Sequence, residues 1–196
     1  MLFYGPPGTG KSELAKYLAT ELDKDLMLKR SSDLLDPYVG RTERHIAEMF
    51  AEAEAREAVL VLDEADTFFF GRDMAQRSWE ISQVNEFLTR MESYQGILIC
   101  TTNRFQGMDR ASVRRFQEKI FFDYLEAGGI EVLFRKFLCP LCKERLEQDF
   151  LTRLTSIKGL TPGDFKNVRD MYTLQDKRPG LDELIYAGAC CRFAVR

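Results

Sequence analysis

The chain has 196 residues, with 31 acidic against 28 basic side chains and a formal net charge of −3. Hydrophobic residues make up 45% and charged residues 30%, which describes a globular chain able to bury a core and excludes disorder and collagen-like repeats. The longest apolar runs, residues 58–62 and 96–100, fall far short of the roughly 18 to 20 residues of a membrane-spanning helix.

From the N-terminus, short apolar runs alternate with helical patterns. Residues 2–4, 26–29, 59–63, 97–101 and 119–122 read as strands, three of them nearly continuous in apolar residues and so expected to be buried on both faces. Residues 13–22, 42–56 and 79–92 read as helices. In the second, Ile46, Met49, Phe50 and Ala53 fall at i, i+3, i+4 and i+7, with Thr42 as the expected N-cap and Glu43 in the first turn. This alternation predicts an α/β layer on a mostly parallel sheet. After Tyr124 the strand-like runs stop, and residues 133–138, 146–154, 164–172 and 181–194 read as helices. Thr161-Pro162-Gly163-Asp164 supplies a capping hydroxyl, a proline at the first helical position and a carboxylate at a helix start. The expected domains are therefore 1–124 and a small all-helical unit, 125–196. The first carries a net charge of −5 and the second +2.

Residues 5–12, Gly5-Pro6-Pro7-Gly8-Thr9-Gly10-Lys11-Ser12, satisfy GxxxxGK[ST] and lie between a predicted strand and a predicted helix. Glycines let backbone N–H groups close around phosphate, Lys11 suits the β and γ phosphates, and Ser12 offers a hydroxyl to Mg²⁺. A nucleoside triphosphate is the expected ligand. Val59-Leu60-Val61-Leu62 then delivers Asp63 and Glu64 to a strand end, 52 positions beyond Lys11. Asp63 is suited to the magnesium shell and Glu64 to deprotonating water, which favours hydrolysis over transfer to a bound acceptor.

The loop GPPGTGKS, the strand VLVLDEAD, the strand end Thr101-Thr102-Asn103, and Met108-Asp109 leading to Arg114-Arg115-Phe116 together resemble the AAA+ ATPases, particularly the AAA clade. The resemblance implies a P-loop NTPase fold: a three-layer αβα core with a parallel five-stranded sheet ordered 5-1-4-3-2, then a helical lid. It implies ATP and Mg²⁺ as cofactors, Asn103 as a sensor that places the attacking water, and Arg115 as an arginine finger acting in a neighbouring subunit of a ring, a hexamer in relatives. The sequence departs from the clade's RPGRFDR: the Pro-Gly pair is missing, and Glu118 stands where a second finger would be. Arg114 and Lys119 compete with Arg115 for the role.

By the same resemblance, Tyr38 and Val39 in Pro37-Tyr38-Val39-Gly40 match the aromatic pore loop of protein-threading members, so the expected client is a protein. A turn with the tyrosine packed on the core is the alternative. Gly163 matches a small residue near adenine, and Arg169 is a weaker sensor candidate. The resemblance also implies a segment before the first strand that covers one side of adenine. A chain starting four positions ahead of its phosphate loop is then either a fragment or a protein with loose base recognition.

The remaining features point to packing. Phe68-Phe69-Phe70 is expected in the core or at a subunit interface. Cys139, Cys142, Cys190 and Cys191 read as reduced, mainly core thiols, because an odd total of five cysteines does not suit a disulfide framework. The single histidine, His45, excludes HExxH zinc chemistry and is expected at the surface or an interface. No export signal is visible, so the expected location is cytoplasmic. The expected function is ATP hydrolysis coupled to remodelling a protein. The alternatives are action on nucleic acid, a nucleotide-gated scaffold with little turnover and, least favoured, a small-acceptor kinase.

Overall fold

The computed structural model describes residues 1–69, 78–142, 148–175 and 179–184. It divides into two compact units, one of residues 1–5 and 11–122, the other of residues 6–10 and 123–196.

The first unit is built on five parallel strands: β1 (Leu2–Tyr4), β2 (Leu26–Arg30), β3 (Val59–Asp63), β4 (Leu98–Thr102) and β5 (Lys119–Phe121). They lie in the order β2-β3-β4-β1-β5, the order expected from the family resemblance. Its helices are α1 (Lys11–Glu21), α2 (Ser31–Leu34), α3 (Arg41–Ala55), α4 (Ser78–Ser93) and α5 (Arg110–Arg114). Strand alternation sorts the core into two layers. Leu2, Leu60, Leu62, Leu98 and Cys100 face a cluster that includes Ile46, Met49 and Phe50 of α3 and Phe87 of α4. Phe3, Val59, Val61 and Ile99 face Ala15 and Ala19 of α1. β3 and β4 are therefore buried on both faces and read as unbroken apolar runs, whereas all three residues of β5 are exposed at the sheet edge.

Several boundaries differ from the sequence reading. Thr42 is not the N-cap of α3. Gly40 takes that place in the left-handed region, while Thr42 is buried inside the helix, its hydroxyl accepting the Asp36 N–H at 3.0 Å. Periodicity over a dozen residues cannot detect helices of about one turn, so α2 and α5 leave no such signal in the sequence. α5 is started by local chemistry: the Asp109 carboxylate caps the Ala111 and Ser112 N–H groups. His45 is half-buried, with its Nδ1 3.1 Å from the Leu34 carbonyl oxygen. Phe68 and Phe69 are core residues: Phe68 stacks on Phe87 at 5.0 Å, and Phe69 meets Phe87 and Phe116 edge-on. Phe70, Cys190, Cys191 and most of the helix expected over 181–194 lie outside the described residues.

The second unit contains α6 (Ala127–Phe137), α7 (Gln148–Thr155) and α8 (Pro162–Leu174). Ile130, Phe134, Phe150, Leu154, Phe165 and Val168 form its core, with the Phe134 and Phe150 rings 5.1 Å apart. Cys139 and Cys142 pack against that core as partly buried thiols. α8 begins as its sequence dictates. Thr161 accepts the Asp164 N–H, Asp164 accepts the Thr161 N–H, and Pro162 occupies the first turn where no donor is needed.

Candidate functional site

In a parallel sheet, ligands collect at the C-terminal ends of the strands. Here β1, β3 and β4 end together at one edge, delivering the loop after Tyr4, the pair Asp63-Glu64 and the stretch Thr101-Thr102-Asn103. Gly5 donates its N–H to the Thr102 carbonyl at 3.3 Å, which ties the start of the phosphate loop to the end of β4.

The loop from Gly5 to Ser12 turns on glycines with positive φ, +141° at Gly5, +77° at Gly8 and +97° at Gly10. At Gly5 crowding adds to the backbone demand, because a Cβ there would stand 2.0 Å from the Phe122 carbonyl oxygen. Within the loop Thr9 donates its hydroxyl to the Pro6 carbonyl at 2.8 Å. Lys11 is buried and its Nζ donates to the Gly5 carbonyl at 2.9 Å. Burial lowers its pKa from the ordinary lysine value, while the Asp63 and Asp66 carboxylates oppose that shift. A cation held among backbone dipoles at a helix start is positioned to meet phosphate.

Ser12 donates to Asp63 Oδ2 at 3.2 Å, and the Thr101 hydroxyl donates to Asp63 Oδ1. Ser12 and Asp63 thus converge as hard oxygen donors across 51 residues of sequence, a set that fits Mg²⁺. Glu64 is exposed and held in the left-handed region at φ 56°, ψ 44°, a conformation uncommon outside glycine and concentrated at functional sites. Its backbone is fixed on one side by Ser31, buried at the start of α2, whose hydroxyl donates to the Glu64 carbonyl at 2.7 Å. Asn103 is exposed just past β4.

The structure therefore brings Lys11, Ser12, Asp63, Glu64 and Asn103 to one sheet edge. Arg115 caps the C-terminal end of α5, and its guanidinium pairs with Glu92 of α4 at 2.6 Å. Arg114 is exposed, and Lys119 donates to the Phe116 carbonyl. Tyr38 and Val39 are 64% and 75% exposed, with the Arg41 guanidinium 4.6 Å over the Tyr38 ring, so the tyrosine is not packed on the core. In the second unit, Gly163 donates its N–H to the Gly8 carbonyl at 2.9 Å. Arg169 binds Asp170 and lies over the Phe137 ring at 5.0 Å, turned to its own helix and its neighbour. Sequence reasoning missed Ser31 and the partners of Thr101 and Thr102. Hydroxyls carry no motif, and their partners lie 33 to 38 residues away.

A glycine-rich loop on a parallel sheet, with lysine, serine and aspartate arranged in this way, defines a P-loop nucleotide-binding protein. A family model for the ATPase family associated with various cellular activities (AAA) matches residues 1–124, and the chain belongs to that family. It is 31% identical over 156 residues to the Arabidopsis thaliana protein SUPPRESSOR OF K(+) TRANSPORT GROWTH DEFECT 1, covering 76% of this chain and 36% of the relative. It is 31% identical over 179 residues to the Saccharomyces cerevisiae 26S proteasome subunit RPT4, covering 85% and 40%. Against mouse vacuolar protein sorting-associated protein 4B it is 32% identical over 157 residues, covering 76% and 35%. The chain thus spans well under half the length of these relatives. Its fold matches the crystal structure of the FIGL-1 AAA domain in complex with ADP at a TM-score of 0.73 and 20% identity, over all of this chain and 71% of that one. No described helix is long and apolar enough to cross a membrane.

Proposed function

We propose that the chain binds ATP with Mg²⁺ and hydrolyses it, as the ATPase core (residues 1–124) and helical lid (125–196) of a ring that remodels a protein client. The observation that carries this reading is the convergence of Lys11, Ser12 and Asp63 beside a strained, exposed Glu64. Loop amides and Lys11 hold the phosphates. Ser12 and Asp63 would hold Mg²⁺, which would supply neutralising charge to the bound phosphates. Glu64 takes the proton from the attacking water, and Asn103 orients that water. Arg115 of one subunit stabilises phosphoryl charge in the next. Two of the relatives are named for a proteasome and for protein sorting, and the exposed Tyr38-Val39 loop supports a polypeptide client.

Glu64→Gln tests the core of this reading. Removing a general base while keeping shape should cut turnover about 10²- to 10⁴-fold and leave nucleotide binding intact. Equal loss of binding and turnover would refute the role given to Glu64.

A further inference from the structure

Thr101 and Thr102 close β4 with two adjacent hydroxyls, both fully buried. Neighbouring strand residues face opposite sides of the sheet, yet one hydroxyl reaches the last residue of β3 and the other the turn that follows it. Thr101 donates to Asp63 and Thr102 donates to Oδ1 of Asp66, so Glu64 lies on a turn clasped on either side. Asp63 and Glu64 already have roles, but Asp66 has none.

The polarity of the Thr102 contact is dictated by its partners. Arg104 donates its N–H to the Thr102 hydroxyl oxygen at 2.9 Å, which leaves the hydroxyl proton for Asp66, an acceptor when ionised. The chain Arg104 to Thr102 to Asp66 therefore brackets Asn103 from both neighbours. Asn103 is exposed, and its backbone lies inside the turn that the Arg104 N–H to Thr102 bond closes.

We propose that Asp66 and Thr102 form a positioning pair that sets Asn103 against the turn bearing Glu64. This rests on the reading of Asn103 as the residue that orients the attacking water. Hydrogen bonds to charged groups of this kind control turnover on a scale of about tenfold, so Thr102→Val should lower kcat ~10-fold with KM for ATP within about twofold. Thr102→Ser, which keeps the hydroxyl, should restore turnover. Asn103→Ala should lower kcat, and the Thr102→Val/Asn103→Ala double variant should be no slower than Asn103→Ala alone, since the two act through one residue.

The measurements are steady-state ATPase kinetics, affinity for a fluorescent ATP analogue, and thermal melting on the full chain. If Thr102→Val melts below the assay temperature, Asp66→Ala removes the same contact from its half-buried end and should give the same selective loss of kcat. Wild-type kcat in Thr102→Val or Asp66→Ala, with Asn103→Ala impaired, overturns the pair. So does a double variant slowed by the product of the single effects. Wild-type kcat in Asn103→Ala refutes the water-orienting reading and the pair with it.

Discussion

Arg115 Nε donates to Glu92 Oε1 at 2.6 Å, so the arginine proposed to act in a neighbouring subunit is tied to α4 of its own core. Both side chains are partly exposed, and such a pair is worth about 0.2–1 kcal/mol. Glu92→Ala should hardly move the melting temperature and should raise turnover at fixed protein concentration about two- to fivefold, because the guanidinium is released. Arg115→Ala should lower kcat of the assembled protein by about a thousandfold. Mixing Arg115→Ala with Glu64→Gln should recover activity, since one supplies a working site and the other the arginine. No recovery on mixing would place Arg115 outside the neighbour's site.

Gly5 and Gly10 both hold positive φ but differ in their surroundings. A Cβ at Gly5 meets the Phe122 carbonyl at 2.0 Å, whereas a Cβ at Gly10 meets nothing within 4 Å. Gly10→Ala should cost backbone strain alone, about 1–3 kcal/mol, and Gly5→Ala more than that. Denaturant melts of the two variants would show the order, and equal losses would contradict it.

Tyr38 is exposed, so its removal should leave the melting curve unchanged. If the loop grips polypeptide, Tyr38→Ala should abolish the stimulation of ATPase by an unfolded protein, while Tyr38→Trp retains it because an aromatic face remains. Stimulation by single-stranded DNA that survives Tyr38→Ala and falls with added salt would point instead to a nucleic-acid client.

Cys100 is fully buried in β4, and burial pushes its thiol up to about 12 from an ordinary 9.0. The folded state therefore keeps a proton that the unfolded state loses first. The stability this group contributes is complete below pH ~9 and declines as pH rises from there toward 12. Cys100→Ala should flatten the loss of stability over that range in melts taken at pH 8, 9 and 10. In the folded protein Cys100 should resist alkylation at pH 8 while the partly exposed Cys139 and Cys142 react.

Much of this molecule is written in short contiguous stretches. The phosphate loop, the Val59–Asp63 strand with its acidic end, and the capping box of α8 are each complete within eight residues or fewer, so residue type and spacing suffice to read them. The order of the five strands followed from family resemblance alone, because alternation identifies strands without ranking them. Only the tertiary structure decided which distant groups meet. The parallel register of β3 and β4, Leu62 beside Cys100, carries Thr101 to Asp63 and Thr102 to the turn of Asp66. It also set the need for glycine at position 5, through a carbonyl 117 residues away, and the pairing of Arg115 with Glu92. Local propensity and periodicity act over a few residues, whereas these contacts depend on how whole strands and helices are stacked. That stacking is what brings Asp63, Glu64 and Asn103 to one edge of the sheet.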